Sequence, residues 1–374
     1  MSRDIALYVH LPFCRRKCRY CSFVSYSGRE KDITIYVEAL IKELRQRSRG
    51  ESVHSIFLGG GTPSLLPVAS IKDLLSAVNA LFTVDKAAEI TMEVNPGTVD
   101  AAYLEAVRNA GISRVSLGVQ SFNDHELKML GRIHSAAEAK QAVSFARKAG
   151  FTNLNLDLIY GLPGQAKADW QYSLEQAVEI NPEHLSLYGL TLEHDTPLQL
   201  LINEGSVPKI DSDLSADLYE LAEERLEKHG YIHYEISNWA KAGRECRHNL
   251  VYWKNLPYLG AGVAAHSCLD GHRLANTNDL DKYISDFSGD ALWQPEMDEE
   301  ISRELEIAET VILGLRLGEG IKPETIKARF GINIMERYRQ QIIEMSGAGL
   351  LQQADGHISL TPGGRLLSNE VFWR

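Results

Sequence analysis

Short apolar runs and amphipathic stretches alternate along the first 190 residues of the chain. Runs rich in β-branched and aromatic residues, which predict strands, cover residues 5–10, 54–59, 89–94, 114–119, 153–159 and 184–190. Between them, apolar residues recur with helical spacing over residues 32–47, 68–81, 99–110, 136–149 and 168–180. This alternation predicts right-handed βα units and a parallel sheet. Because no dinucleotide-binding fingerprint accompanies it, we expect an α/β fold of the partial (β/α)6-barrel type, with its site at the C-terminal strand ends.

The pattern changes after residue 190. A helix is predicted over residues 211–228, and loops with short strands over residues 231–272. Helices follow over residues 300–317, 322–330 and 334–348, and a hairpin over 350–360 turns at Asp355 and Gly356. Helices followed by a small hairpin resemble a winged-helix α+β module. We therefore predict a barrel domain over residues 1–238, a connecting segment over 239–295 and a winged-helix-like domain over 296–374.

The composition is that of a folded, acidic protein. Of its 374 residues, 44% are hydrophobic and 24% charged, which excludes a disordered or fibrous chain. No run approaches the roughly 18 apolar residues that a membrane span requires. The net charge is −11, whereas sequence-independent nucleic-acid binding requires a basic face. We therefore expect no nucleic-acid partner.

Three of the five cysteines lie within eight residues. Cys14, Cys18 and Cys21 follow the first predicted strand in a C-x3-C-x2-C pattern. An odd, crowded set is not a disulfide framework, and it indicates a metal site in a reducing compartment, which we take to be the cytoplasm. Three thiolates on one short loop suit three corners of an iron–sulfur cube and leave one iron open. A zinc site, with His10 as the nearby fourth ligand, is the alternative.

Polar side chains interrupt three apolar strands near the C-terminal ends of those strands. Glu93, Gln120 and Asp157 close the third, fourth and fifth predicted strands, where a barrel site would lie. One such residue could be a polar side chain whose hydrogen bonds are satisfied within the core, but three on successive strands indicate a binding site. Arg132 has the planar guanidinium that binds carboxylates, and its alternative role is that of an exposed arginine at a helix end.

The cysteine pattern resembles the signature of the radical S-adenosylmethionine (SAM) superfamily. The resemblance implies that Cys14, Cys18 and Cys21 hold a [4Fe-4S] cluster whose open iron binds SAM. Glycines after the second strand match the glycine-rich motif of that superfamily, where backbone amides approach the ligand. The SAM-site residues implied by the resemblance are Gly60, Gly61, Thr62, Glu93, Gln120, Arg132 and Asp157.

More narrowly, nearly the whole chain resembles the oxygen-independent coproporphyrinogen III oxidase branch of the superfamily. Tyr8 matches the aromatic residue of that branch before the cluster loop, and Tyr20 matches its aromatic residue between the last two cysteines. Both are therefore expected at the cofactor site.

This branch contains haem chaperones as well as oxidases. Residues 248–253, His-Asn-Leu-Val-Tyr-Trp, match the His-Asn-x-x-Tyr-Trp motif of the chaperones, whereas Phe23 stands where the oxidases carry a fourth cysteine. We therefore expect a chaperone that binds haem as cargo and delivers it to apo-haemoproteins, and whether SAM is cleaved stays open. The alternative is the oxidase of porphyrin biosynthesis, which decarboxylates coproporphyrinogen III through a 5′-deoxyadenosyl radical; Phe23 argues against that activity.

His248 is the expected haem contact within this motif. Histidine is a common axial haem ligand, and the neighbouring Tyr252 and Trp253 offer flat apolar walls. The alternative is that His248 and Asn249 only hold a loop against the barrel.

The expected partners follow from the expected role as a haem chaperone with an iron–sulfur cluster. They are an apo-haemoprotein recipient and a flavodoxin-like or other electron donor, with peripheral contact to membrane haemoproteins. The cluster loop carries four basic residues, Arg15, Arg16, Lys17 and Arg19, which would attract an acidic donor or haem propionates.

Overall fold

Six parallel strands, taken in sequence order, form the centre of one large sheet. The computed structural model describes residues 4–289 and 292–373. The central strands are β1 (Asp4–Leu11), β2 (Ser52–Gly60), β3 (Thr83–Val94), β4 (Arg114–Gln120), β5 (Leu154–Tyr160) and β6 (His184–Gly189). Each pairs in parallel with the next, so that their C-terminal ends share one edge. The predicted α/β partial barrel is confirmed.

Further strands extend this sheet at both edges. At the β6 edge these are β7 (Ile232–Glu235) and β8 (Asn238–Ala240), both antiparallel to their neighbours. At the β1 edge these are β9 (Tyr258–Ala261), which is parallel to β1, and the antiparallel β10 (His266–Leu269), β11 (His272–Ala275) and β12 (Met297–Glu300). The order is β12-β11-β10-β9-β1-β2-β3-β4-β5-β6-β8-β7. Residues 239–295 thus supply strands to the main sheet, and the division at 238 and 295 stays a prediction.

Helices accompany this sheet, and most of them share one hydrophobic core with its strands. The helices of this part of the chain are α1 (Ile33–Arg47), α2 (Val68–Leu81), α3 (Ala101–Asn109), α4 (Asp124–Leu130), α5 (Ala136–Lys148), α6 (Lys167–Ile180), α7 (Pro197–Asn203), α8 (Ser212–Lys228), α9 (Arg247–Trp253) and α10 (Leu280–Ser288). Short 3-10 turns occupy Glu30–Asp32, Pro63–Leu65 and Pro96–Thr98. Local signals fix several ends: Ser135 and Glu138 form a capping box at the start of α5, and Gly131 ends α4 at φ 75°.

The C-terminal residues form a unit with a hydrophobic core of its own. Its elements are α11 (Arg303–Gly314), α12 (Pro323–Phe330), α13 (Ile334–Arg337), α14 (Arg339–Gly347), β13 (Leu351–Ala354), β14 (His357–Leu360), α15 (Pro362–Leu366) and α16 (Ser368–Phe372). The hairpin after the helices gives the predicted winged-helix-like character. Main-chain bonds join this unit to the barrel, since the Gly318 amide donates to Tyr234 over 2.8 Å and the Ile236 amide donates to Arg316 over 3.0 Å.

Two helix predictions differ from the structure. The helix predicted over 334–348 is broken at Tyr338, whose φ of −108° and ψ of 23° leave the α-helical region. The helix predicted over 300–317 begins only at Arg303, because Ser302 caps it and the residues before it form the polar edge strand β12. The short helices α4, α7, α9 and α10 span seven to nine residues, too few for a clear helical period in the sequence.

Candidate cofactor site at the barrel mouth

A cavity of about 410 Å³ opens at the C-terminal ends of the parallel strands. Its walls are these strand ends, the loop after β1 and the segment after β6. Residues predicted for cofactor binding line it: Cys14, Cys18, Tyr20, Cys21, Gly60, Gly61, Glu93, Gln120, Arg132 and Asp157. Positions far apart in the sequence are therefore brought to one site.

Protein contacts order the loop that carries the cysteines. Phe13–Cys14 pairs in parallel with Tyr26–Ser27, which closes the loop at its base. The Arg16 guanidinium donates to the carbonyl oxygens of Gly131 over 2.9 Å and Arg132 over 2.6 Å. The loop is thus held to the segment after α4 as well as to β1.

The three cysteines of the loop line the same cavity. Among residues 4–289 and 292–373, no group of three or more His, Cys, Asp or Glu side chains could hold a single metal ion. A cubane cluster takes its thiolates at separate corners, which fits this arrangement. Burial raises the pKa of the Cys14 and Cys21 thiols, so metal binding must displace their protons.

His10 is not available as a zinc ligand. Its Nε2 lies 2.8 Å from the Val24 carbonyl oxygen, and its Nδ1 lies 3.0 Å from the Tyr8 hydroxyl. The side chain is also buried. The zinc alternative therefore lacks its fourth ligand, and the donor set fits an iron–sulfur cluster. Tyr8, which was expected at the cofactor site, instead lies beneath the cavity and supports the cysteine loop through His10.

Two buried carboxyl groups face the cavity from β3 and β5, on either side of β4. Burial and then the charge of Asp157 raise the pKa of Glu93 to about 8, and burial also raises the pKa of Asp157. Asp157 is fixed by Ser116 over 3.1 Å and by the Asn155 side-chain amide over 2.8 Å. Two carboxylates at one buried site favour a cationic ligand, because a positive charge offsets their mutual repulsion and their desolvation.

Gln120 and Arg132 present polar atoms without partners at the same site. Gln120 has a left-handed φ of 70°, which is uncommon for a residue other than glycine and often marks a functional constraint. Its Oε1 is buried and accepts no hydrogen bond from the described residues, and the Arg132 Nε is also without a partner there. Arg132 otherwise donates to Cys18 Sγ over 3.3 Å and to the Gly118 carbonyl over 2.6 Å, so it is not an exposed helix-end arginine.

The glycines of the Gly-Gly-Thr segment are required for packing. The amides of Gly60, Gly61 and Thr62 all donate within the protein, to Glu93 over 3.1 Å and to β1 and its following loop over 2.9 and 2.7 Å. A Cβ on Gly60 would lie 2.5 Å from the His10 ring, and one on Gly61 would lie 2.7 Å from the Phe13 carbonyl oxygen. Gly60 and Gly61 line the cavity, and because their amides already donate within the protein, the expected approach of these amides to a ligand stays a prediction. Thr62 lies instead beside the cluster loop, with its Oγ1 3.5 Å from Cys14 Sγ.

His248 lies inside the barrel, away from this cavity. It is 1% exposed, its Nδ1 is 3.1 Å from Ser55 Oγ, and its Nε2 is 3.0 Å from the Tyr252 hydroxyl. Both ring nitrogens are thus occupied, and the Tyr8 and Phe57 rings pack around the imidazole. This geometry contradicts the expected haem contact at His248, and it supports the alternative role of holding α9 against the barrel.

The buried imidazole predicts a specific pH dependence of stability. Burial, followed by the positive charges of His54 and Arg114, lowers the pKa of His248 to about 3. Between about pH 6.5 and pH 3 the unfolded imidazole binds a proton that the folded one does not, so stability falls as the pH falls, by up to about 1.4 kcal/mol per pH unit. For His248→Gln we expect a lower melting temperature at pH 7.5, and a melting temperature that declines less steeply than that of the parent between pH 6.5 and 4.5. His125→Gln, at an exposed position, is the matched control. If the melting temperature of His248→Gln declines as steeply as that of the parent, the lowered pKa assigned to His248 is contradicted.

Comparison with known proteins identifies the family. A model of the radical SAM superfamily matches residues 8–177, and a model of the HemN C-terminal domain matches residues 301–367. The chain is 33% identical to the heme chaperone HemW of Bacillus subtilis over 98% of this chain and 97% of the relative. It is 42% identical to the heme chaperone HemW of Escherichia coli over 73% of each chain. The chain belongs to the HemW family of radical SAM proteins.

The HemW-family chain also shares its fold with an oxidase of the same superfamily. It matches the solved structure of coproporphyrinogen III oxidase HemN from Escherichia coli with a TM-score of 0.86 and 26% identity, over 100% of this chain and 90% of the other. The barrel and the C-terminal unit are therefore common to the family and to this oxidase.

Some residues of the cavity in this HemW-family chain were not singled out from the sequence. Ser116 and Gly118 line it on β4 together with Gln120. Because side chains alternate across a strand, positions two and four residues before Gln120 face the same way, and this spacing could have identified both. Tyr188 and Glu193 line the cavity from the end of β6 and the segment after it, and no motif in the sequence marks them.

Proposed function

We propose that this protein is a haem chaperone, which binds haem as cargo and delivers it to apo-haemoproteins. The names of the Bacillus and Escherichia relatives support this proposal. The structural observation that carries it is Phe23, which lines the barrel cavity and is 69% exposed. This phenyl ring stands at the position where oxidases of this branch carry a further cysteine, so the residue that distinguishes the oxidases is replaced by an apolar side chain.

We also propose which residues bind the cofactors. Cys14, Cys18 and Cys21 would hold the [4Fe-4S] cluster, which supplies an open iron and reducing electrons when bound. SAM would lie beside it, where Glu93 and Asp157 offset its positive charge. The remaining proposed contacts are Tyr20, Gly60, Gly61, Gln120 and Arg132. Thr62 and Tyr8 would act through the loop, as positioning residues.

The SAM site is tested most selectively at Gln120. Replacing Gln120 with alanine removes the unpartnered amide oxygen but leaves the cysteines and the two carboxyl groups in place. We expect SAM affinity to fall about tenfold, as for one lost hydrogen bond in a buried site, with unchanged iron content. Equilibrium dialysis of the reconstituted protein measures SAM affinity and a colorimetric assay measures iron, with the exposed Gln340→Ala as control. Unchanged SAM affinity would contradict this contact.

The partners are proposed from charge and surface. Arg15 and Arg19 are exposed on the cluster loop, whereas Arg16 and Lys17 donate to main-chain carbonyls. This basic loop beside the cluster suits an acidic electron donor, flavodoxin-like in charge. Within the described residues no helix is long and apolar enough to cross a bilayer, so we propose peripheral contact where the recipient is a membrane haemoprotein.

The oxidase is the second candidate function. It is favoured by the structural match to HemN over the whole chain, and it would use the same cluster and SAM site. Against it stand Phe23 in place of a cysteine and the higher identity of this chain to the HemW relatives.

Haem transfer tests the chaperone proposal. Anaerobically reconstituted protein is loaded with one equivalent of haem, freed of excess and mixed with an apo-globin. We expect the Soret band of the haem-loaded chain to be replaced by that of the globin. Failure of the chain to bind haem would overturn the proposal, as would haem that stays bound throughout the incubation.

A further inference from the structure

A second cavity lies inside the C-terminal unit. Its volume is about 260 Å³, and its lining is almost wholly apolar, drawn from α11, α14, β13, β14 and the C-terminal residues. Trp373 stands at its edge with 88% of its surface exposed. An apolar cavity with an exposed indole at its rim suits a flat hydrophobic molecule that enters by one edge.

A cation without a carboxylate partner stands beside this cavity. The guanidinium of Arg316 lies 4.7 Å from the ring centre of Phe372, which lines the cavity, and 5.4 Å from the ring centre of Trp253 on α9. Among the residues that the structure describes, no acidic side chain forms an ion pair with Arg316. Glu235 is near enough to act by charge, but its carboxylate accepts from Asn238 and from the Ser237 amide.

Two buried N–H donors at this junction have no acceptor. They are Nε of Arg316 and Nε1 of Trp253, neither of which finds a partner in residues 4–289 and 292–373. A buried donor without an acceptor destabilises the folded protein. Two such donors on neighbouring side chains indicate an acceptor group that is supplied by a ligand. A carboxylate is the acceptor that a guanidinium binds most strongly.

The surrounding charge makes this cation distinctive. Residues 296–374 carry nine basic and thirteen acidic side chains, a balance of −4. The net negative charge of this unit therefore repels an anionic ligand. Arg316 supplies a positive charge that attracts such a ligand locally, between the barrel and the cavity.

We propose that this cavity and Arg316 form a porphyrin site, with the apolar edge of the macrocycle in the cavity, its face against Trp373 and a propionate on Arg316 and Trp253. This inference rests on the proposed haem cargo. It assigns the cargo to the C-terminal unit and not to His248, whose nitrogens are occupied. It also gives Trp253 of the His-Asn-x-x-Tyr-Trp segment a direct contact with the ligand.

The test is a titration of the full-length reconstituted protein with haem and, separately, with haem dimethyl ester, followed by Soret absorbance. Ala308 lines the cavity on α11, and Ala308→Phe fills it; Leu305→Phe, on the same helix outside the lining, is the matched control. Arg316→Gln removes the charge and keeps a polar side chain. Circular dichroism and melting temperature verify that each variant is folded.

We expect Ala308→Phe to weaken the binding of both haem and its dimethyl ester, and Leu305→Phe to change the binding of neither. Arg316→Gln should lower the affinity for haem about tenfold to a hundredfold, as for a lost charge-assisted hydrogen bond. The affinity for the dimethyl ester should stay unchanged. If folded Ala308→Phe and Arg316→Gln bind haem as the parent does, the site is refuted while the chaperone proposal stands. If the parent itself binds no haem, the chaperone proposal fails first.

Discussion

Replacing any one of Cys14, Cys18 or Cys21 with alanine is expected to reduce the iron content of the reconstituted protein to background. The three cysteines line one cavity. A cluster held by three protein ligands cannot lose one without exposing a second iron to solvent, so partial retention is not expected. The broad absorbance near 400 nm should vanish together with the iron.

The matched control for this experiment is Cys268→Ala. Cys268 lies on β10, outside the lining of the barrel cavity. We expect it to keep full iron content and the full absorbance. Cluster absorbance that survives in any of the three loop variants would refute the metal site.

Replacing Glu43 with alanine is expected to lower the free energy of unfolding by about 3–5 kcal/mol, the usual cost of breaking a buried ion pair from one side. Glu43 on α1 is fully buried and pairs with Arg47 over 2.7 Å. Its carboxylate also accepts from the Gly262 amide over 2.8 Å, the Tyr283 hydroxyl over 2.6 Å and the Asn276 side-chain amide over 2.8 Å. The substitution therefore leaves one buried cation without its carboxylate and removes the acceptor of three donors.

The Glu43 network holds the segment that follows β9, through the Gly262 amide. A Cβ at Gly262 would lie 2.6 Å from the His10 carbonyl oxygen, so this segment packs closely against the end of β1, just before the cysteine loop. Chemical denaturation measures the effect, with the exposed Glu38→Ala on the same helix as control. A loss below about 1 kcal/mol, the range of exposed ion pairs, would contradict the buried network.

Much of the barrel follows directly from local sequence patterns. The six central strands and the helices between them were predictable because each carries a full period of apolar residues, and a parallel order of strands collects their polar ends at one edge. That is why Glu93, Gln120 and Asp157 were expected at the site that the structure shows. The cysteine loop was equally visible, since its ligands are neighbours in the chain.

The interior of the barrel was not predictable in the same way. The environment of His248 depends on Ser55, which lies 193 residues away along the chain, and a motif of six residues contains no trace of that contact. Gly60 and Gly61 lie at the site, as the sequence predicts, but the structure requires glycine there for packing. The neighbours that exclude a Cβ at these positions lie on β1 and the loop after it. The parallel pairing of β9 with β1 likewise joins residues that no local pattern connects.

The central claim is that this chain carries haem and does not make its precursor. Anaerobically reconstituted protein, supplied with SAM, a low-potential reductant and coproporphyrinogen III, is analysed for porphyrin carboxyl number by chromatography, alongside haem titration of the same preparation. We predict that haem binds and that the coproporphyrinogen is recovered with all four carboxyl groups. Formation of protoporphyrinogen by this preparation would contradict the account.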